Sequence, residues 1–138
     1  MVNAYSITNQ TLLPDELIAF ANNRIATGCS ISHQAGGTTF TIKRPGLYLV
    51  TFHGTASATA AATDPITVQL LNKGVEVPGA LASELSAAVD TPVNLSFTTA
   101  IQIRPSCCAV DNEANLTFEN AGIEALFSNV EVVITTIC

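Results

Sequence analysis

The stretch that most limits what this chain can fold into runs from Thr38 to Ala58, TTFTIKRPGLYLVTFHGTASA. Residues Thr38–Ile42 are all β-branched or aromatic, which suits a pleated, half-buried surface. Pro45-Gly46 is a corner: Pro presets φ, and Gly tolerates the backbone angles that a tight turn demands. Beyond it, Tyr48, Val50 and Phe52 share one face of a strand, while Leu49, Thr51 and His53 share the other. Neither face carries Lys, Arg, Asp or Glu. Such a strand is expected to be covered on one side by its own domain and on the other by a neighbour.

The flanking segments read as partners for that pair. Residues 3–8 alternate as an opening strand, and a short strand is expected at Leu17–Phe20. Ile31–His33 is a strand fragment ahead of Gly36-Gly37. Thr55–Thr63 is a run of small residues, and Asp64-Pro65 turns the chain. Ile66–Leu71 then alternates into Asn72-Lys73-Gly74, a hairpin signal before Val75–Val77. Pro78-Gly79 is expected to close that strand, leaving Ala80–Val89 as loop. Val93–Ile103 is the next long strand, with a bulge or face switch expected near Thr99-Ala100. Arg104-Pro105 ends it and Ser106–Asn112 forms a loop. Leu116–Phe118, the turn Asn120-Ala121-Gly122 and a last strand over Ile123–Ile137 complete the chain. Strands with turn signals every 8–15 residues and no long helix mean an all-β sandwich or jelly roll.

Charge narrows the function. Of the 138 residues only 12% are charged, against about a quarter in ordinary soluble domains, and 48% are apolar. That thin polar coat points to subunit contact. A net charge of −6 with five scattered basic residues argues against phosphate-backbone binding, and the lack of Trp argues against a stacking platform for single strands. No apolar run of about 18 residues or more occurs, so no membrane-spanning helix is expected. Asp15 and Glu16 interrupt an N-terminus that has no basic region, so no signal peptide is expected.

Reactive groups are few. The cysteines Cys29, Cys107, Cys108 and Cys138 have no C-x-x-C spacing, and the only histidines are His33 and His53, which does not make a zinc signature. Disulfides within or between chains, or buried thiols, are the open alternatives; adjacent Cys107 and Cys108 would each need another partner. If the last long strands point the same way, Cys138 lies at the same end of the domain as the cysteine pair. Asp111-x-Glu113 is a possible calcium pair, but a plain polar loop is the simpler reading. His53 reads as a face-lining residue rather than a catalytic base. With no nucleophile–base pair, P-loop or H-E-x-x-H, no enzymatic activity and no cofactor are expected.

Phe40-Thr41-Ile42-Lys43-Arg44-Pro45-Gly46-Leu47-Tyr48, followed by Phe52-His53, resembles the F-T-x-x-x-P-G-x-Y…Y/F-H signature of the complement q-subcomponent head, a jelly roll of the tumour-necrosis-factor type. Ile101–Pro105 and the tail Phe127–Ile137 resemble later strands of that head. A closer resemblance is to the C-terminal domain of the collagen-like exosporium glycoproteins of bacterial spores. Ile31-Ser32, Phe40–Tyr48 and Thr55–Thr59 are similar to it in order and spacing, and ITVQLLNKGVEVPG (Ile66–Gly79) looks like its L-T-I-Q-V-N-G-x-P-V-P-G hairpin. The resemblance implies a TNF-like jelly-roll sandwich of about ten antiparallel strands, assembled as a homotrimer. It also implies that the sheet carrying the Pro45-Gly46 strand, Val93–Ile103 and the last strand turns towards the threefold axis. Interface candidates are then Leu49, Thr51, His53, Ile101, Ile103 and Val133.

The chain departs from those glycoproteins in lacking a Gly-x-y stalk. In its place residues 1–16 are expected to act as a leader or connector through Val2, Ala4, Tyr5, Ile7, Leu12 and Leu13, with the jelly roll spanning 17–138. The expected function is a self-assembling trimeric subunit of a bacterial spore surface layer or fibre, with itself and other spore-surface proteins as the expected partners. Cys29, Cys107, Cys108 and Cys138 are the cross-link candidates. A trimeric receptor- or glycan-binding head and a phage virion or tail-fibre protein are the rival readings.

Overall fold

The computed structural model describes residues 1–61, 63–107 and 112–137. Among them are eleven strands: β1 (Val2–Ser6), β2 (Gln10–Leu12), β3 (Asn22–Ala26), β4 (Ile31–His33), β5 (Phe40–Ile42), β6 (Gly46–Ala58), β7 (Ile66–Asn72), β8 (Val75–Glu84), β9 (Pro92–Ile103), β10 (Ala114–Asn120) and β11 (Ala125–Thr136). They form two antiparallel sheets. The six-stranded sheet has the order β3-β1-β11-β6-β9, with β2 also on β11; the five-stranded sheet has the order β4-β5-β10-β7-β8.

The sequence explains the central strand. Across the Pro45-Gly46 corner the Tyr48 hydroxyl donates to the Arg44 carbonyl at 2.8 Å, and its ring packs 3.4 Å from where a Cβ on Gly46 would lie. The P-G-x-Y spacing is thus a self-locking turn. The register of β6 with β9 runs unbroken from Gly46↔Ile103 to Ser57↔Pro92. Its other flank pairs with β11, with one bulge between Phe127 and Asn129. Just beyond that bulge Gly54 pairs with Val130, and a Cβ on it would press to 3.1 Å on the Asn129 carbonyl and on Val130.

Aromatic rings hold the sheets together. Phe52 of the six-stranded sheet stacks on Phe118 of the other at 5.3 Å, and Phe97 stacks on Phe52 at 5.5 Å. Phe40 and Phe20 continue the cluster edge-on. All are buried, and rings in such offset and edge-on arrangements add attraction beyond their buried area. His33 lies flat on Phe40 at 4.3 Å, its ring nitrogens 2.6 Å from the Asn23 side-chain oxygen and 2.9 Å from the Gly37 carbonyl.

Several expectations are corrected. Residues 1–16 are not a separate leader: β1 lies between β3 and β11, paired from Val2↔Ile134 to Ser6↔Val130, and Val2, Ala4 and Leu12 are buried in the common core. The short strand at Leu17–Phe20 is an extended segment with one bridge, Leu17↔Glu119, although Ile18 and Phe20 are core residues. Pro78-Gly79 does not close β8. Gly79, at φ 83°, lets the strand run on to Glu84 across an irregularity in its pairing with β7. No bulge or face switch occurs at Thr99-Ala100. The Lys73-Gly74 hairpin is as expected, both residues having positive φ, as a type I′ turn requires.

Candidate functional site: the outer face of the six-stranded sheet

Alternation along β1, β11, β6 and β9 builds this face. One row across it reads Asn3, Val133, Thr51 and Thr98; the next reads Tyr5, Glu131, His53 and Ser96. Thr135, Leu49 and Ala100 form a third row, and Asn129, Thr55 and Asn94 a fourth. Short hydroxyl and amide side chains satisfy one another along the rows, as in Thr55 to Asn94 at 3.1 Å. The result is a flat face of small polar and β-branched groups.

Its charged side chains form one cluster. The Glu131 Oε1 atom accepts from the Asn3 amide at 2.7 Å and from Arg24 Nη1 at 2.9 Å, while His53 Nε2 lies 2.8 Å from Oε2. Arg24 also donates to the Asn3 side-chain oxygen at 3.1 Å and lies 4.7 Å above the Tyr5 ring. The Asn3 hydrogen bond, helped by His53 and Arg24 and opposed by desolvation, holds the Glu131 carboxyl below the usual carboxylate range. Asn3 itself is buried, so the cluster rests on a fixed base. Both carboxylate oxygens are engaged within the chain, and the face presents little uncompensated charge.

The predicted site residues divide. Leu49, Thr51, His53 and Val133 lie on this face. Ile101 and Ile103 do not: both are buried, pointing between the sheets with Leu95 and Phe97. All four are odd-numbered, so strict alternation assigns them one side, and the face switch expected near Thr99-Ala100 does not occur. Tyr5 is half-buried against Arg24, while Ile7 and Leu13 are exposed. Missed from the sequence were Asn3, Arg24 and Glu131, which only strand order brings together.

The cysteines bear on the corner end of the sandwich. Cys29 is exposed in the β3–β4 loop and Cys107 is exposed beyond β9. Cys108 and Cys138 lie outside the described residues, as does Asp111 of the possible calcium pair. β9 and β11 run the same way on either side of β6, and the Ile137 amide donates to the Leu47 carbonyl beside Gln102. The segments leading to 108 and 138 therefore leave the sheet at the same end.

No protein-family profile matches the chain, and no curated protein does. Solved structures do. Eiger TNF from S. frugiperda is 12% identical, with a TM-score of 0.68 over 99% of this chain and 94% of that one. The chain is a TNF-like jelly roll. Murine APRIL at pH 5.0 is similar at 8% identity and a TM-score of 0.61, covering 95% of this chain and 96% of that one. The PRD1 vertex protein P5 is similar at 10% identity and a TM-score of 0.52, covering 95% and 93%.

Proposed function

We propose that this TNF-like jelly roll is a structural, non-catalytic subunit that assembles as a homotrimer through the outer face of its six-stranded sheet. The observation that carries the reading is that face: small uncharged rows around one charged cluster whose carboxylate is already compensated. A surface of this kind loses little on leaving water, whereas an uncompensated charge would be costly to cover. The low overall charge of the chain supports the same reading.

The finer assignment is a bacterial spore surface layer or fibre. It is supported by the resemblance of the Phe40–Tyr48 corner and the Ile66–Gly79 hairpin to the exosporium-glycoprotein domain. A second reading, a phage virion protein, is favoured by the similarity to the PRD1 vertex protein. Immunogold labelling of spores and of phage particles separates the two.

Light scattering on the purified chain tests the assembly. The expected mass is three times the 14.4 kDa chain. Val133→Glu places an unpartnered carboxylate in the Asn3-Val133-Thr51-Thr98 row and is expected to give folded monomers. A monomeric wild type, or a Val133→Glu chain that stays trimeric, overturns the reading.

A further inference from the structure

Charge is segregated along the strands. At the corner end, where β6 begins and β9 and β11 end, stand Lys43, Arg44, Lys73 and Arg104, four of the five Lys and Arg residues. The fifth, Arg24, belongs to the cluster on the sheet face. At the far end the loops and strand ends carry exposed Asp15, Glu16, Asp64, Glu84, Asp90 and Glu124, without a single Lys or Arg. Glu119 lies just behind them, its carboxyl pushed up by burial and then by neighbouring Asp15 and Glu76. The register fixes both poles. Asp90 donates its amide to the Ala58 carbonyl at the end of β6, and Glu84 pairs with Ile66, whereas Lys73 donates to Asn115 near the start of β10. Glu113 and Glu76, the latter paired with Leu71 beside the Lys73-Gly74 hairpin, are the described carboxylates at the basic end and offset part of its charge.

The poles are also shaped and partly apolar. The acidic one surrounds a pit of about 80 Å³ floored by Ala58, Ala60, Ala87 and Ala88. Leu85 and Val89, on either side of the lining Ser86, Ala87 and Ala88, stand exposed beside it. The basic one holds a cleft of about 440 Å³ lined by Lys73, Arg104, Gln102 and Glu113, with Val75 exposed beside it. The acidic pole thus sets a small apolar pit inside a charged rim, an arrangement that protein interfaces use, while the cleft of the basic pole is polar.

The geometry points to end-to-end docking between copies of this chain, the acidic pole of one on the basic pole of the next. Each pole supplies the charge that the other needs, so one sequence provides both halves. The contact is heterologous, and a heterologous contact that does not close into a ring propagates as a filament. It rests on reading the chain as a self-assembling subunit, but it uses surfaces that the sheet-face contact leaves uncovered.

Negative-stain microscopy and sedimentation of the full chain, both under reductant to exclude cysteine cross-links, test it. At low salt, end-to-end polymers are expected. Raising salt from about 0.05 M to 1 M, which shortens the screening length to ~3 Å, is expected to cut the polymer fraction at least about ten-fold. Lys43→Glu with Arg44→Glu makes the basic end net negative and is expected to abolish polymers, whereas Asp15→Lys with Glu16→Lys reduces the acidic pole's charge and is expected to shorten them. Both pairs are exposed loop changes that leave the core alone. Combining the four substitutions in one chain leaves both poles net negative and is expected not to restore polymers. Trimers that never join end to end, polymers indifferent to salt and reversal, or an effect of the basic pole alone overturn the docking proposal while leaving the trimer intact. Monomers that stack overturn the trimer and leave the docking standing.

Discussion

Glu131 concentrates the energetics of the sheet face in one side chain. Asn3, Arg24 and His53 all reach its two oxygens, so the ionised form is the one the fold is built around. Its carboxyl titrates below the ordinary 4.5, so the stability it contributes is full above that value and is lost as pH falls through the lowered folded value. Glu131→Gln keeps the shape and removes the charge. The expected cost is on the order of 1 kcal/mol near neutral pH, since the group is partly in water. Urea unfolding from pH 7 to 3 should show the gap between wild type and variant constant down to about pH 5 and shrinking below. A gap that stays constant to pH 3 would mean that the charge contributes nothing. The residues of this cluster could not have been found from spacing, because Asn3, Arg24 and Glu131 are joined only by strand order. Tyr48 was legible, since the corner that it locks is four residues long. Gly122 was legible as a turn but not as a packing constraint: a Cβ there would meet the Pro65 carbonyl at 2.6 Å from a distant loop.

At the scale of elements, alternation identified the long strands and failed where neighbours decide. β6, β7, β9 and β11 are long enough for period-two patterning to show. β3 escaped because NNRIA carries little apolar signal, and it exists as the edge partner of β1. Residues 1–16 looked detachable because a short, weakly hydrophobic segment carries no sign of what covers it. The structure makes β1 an interior strand, bonded on both sides, with Val2 and Ala4 fully buried. Deleting residues 1–6 therefore strips the inner flank of β11 and uncovers the core, rather than freeing an arm. The expected loss is several kcal/mol, a large part of the stability of a domain this size. Thermal unfolding by circular dichroism should show an unfolded chain or a Tm lowered by ten degrees or more. A deletion variant with unchanged Tm would restore the connector reading.

For the whole molecule, the formal charge of −6 conceals the distribution that decides how copies meet. Composition reported a thin polar coat, but only the topology gathers six exposed acids at one end of the strands and four of the five bases at the other. Side by side and parallel, two such molecules bring like poles together; end to end, they bring unlike poles together. Salt screens both the general repulsion of the net negative charge and the attraction between unlike poles, over ~10 Å at 0.1 M. Low ionic strength should therefore favour linear growth over rafts. Electron micrographs at low salt are expected to show unbranched threads of uniform width, one subunit or one trimer across, that shorten as salt rises. Sheets, branched clumps or closed rings at low salt would mean that the axial separation of charge does not govern assembly, and the flat face of the six-stranded sheet would then be the only surface left to explain it.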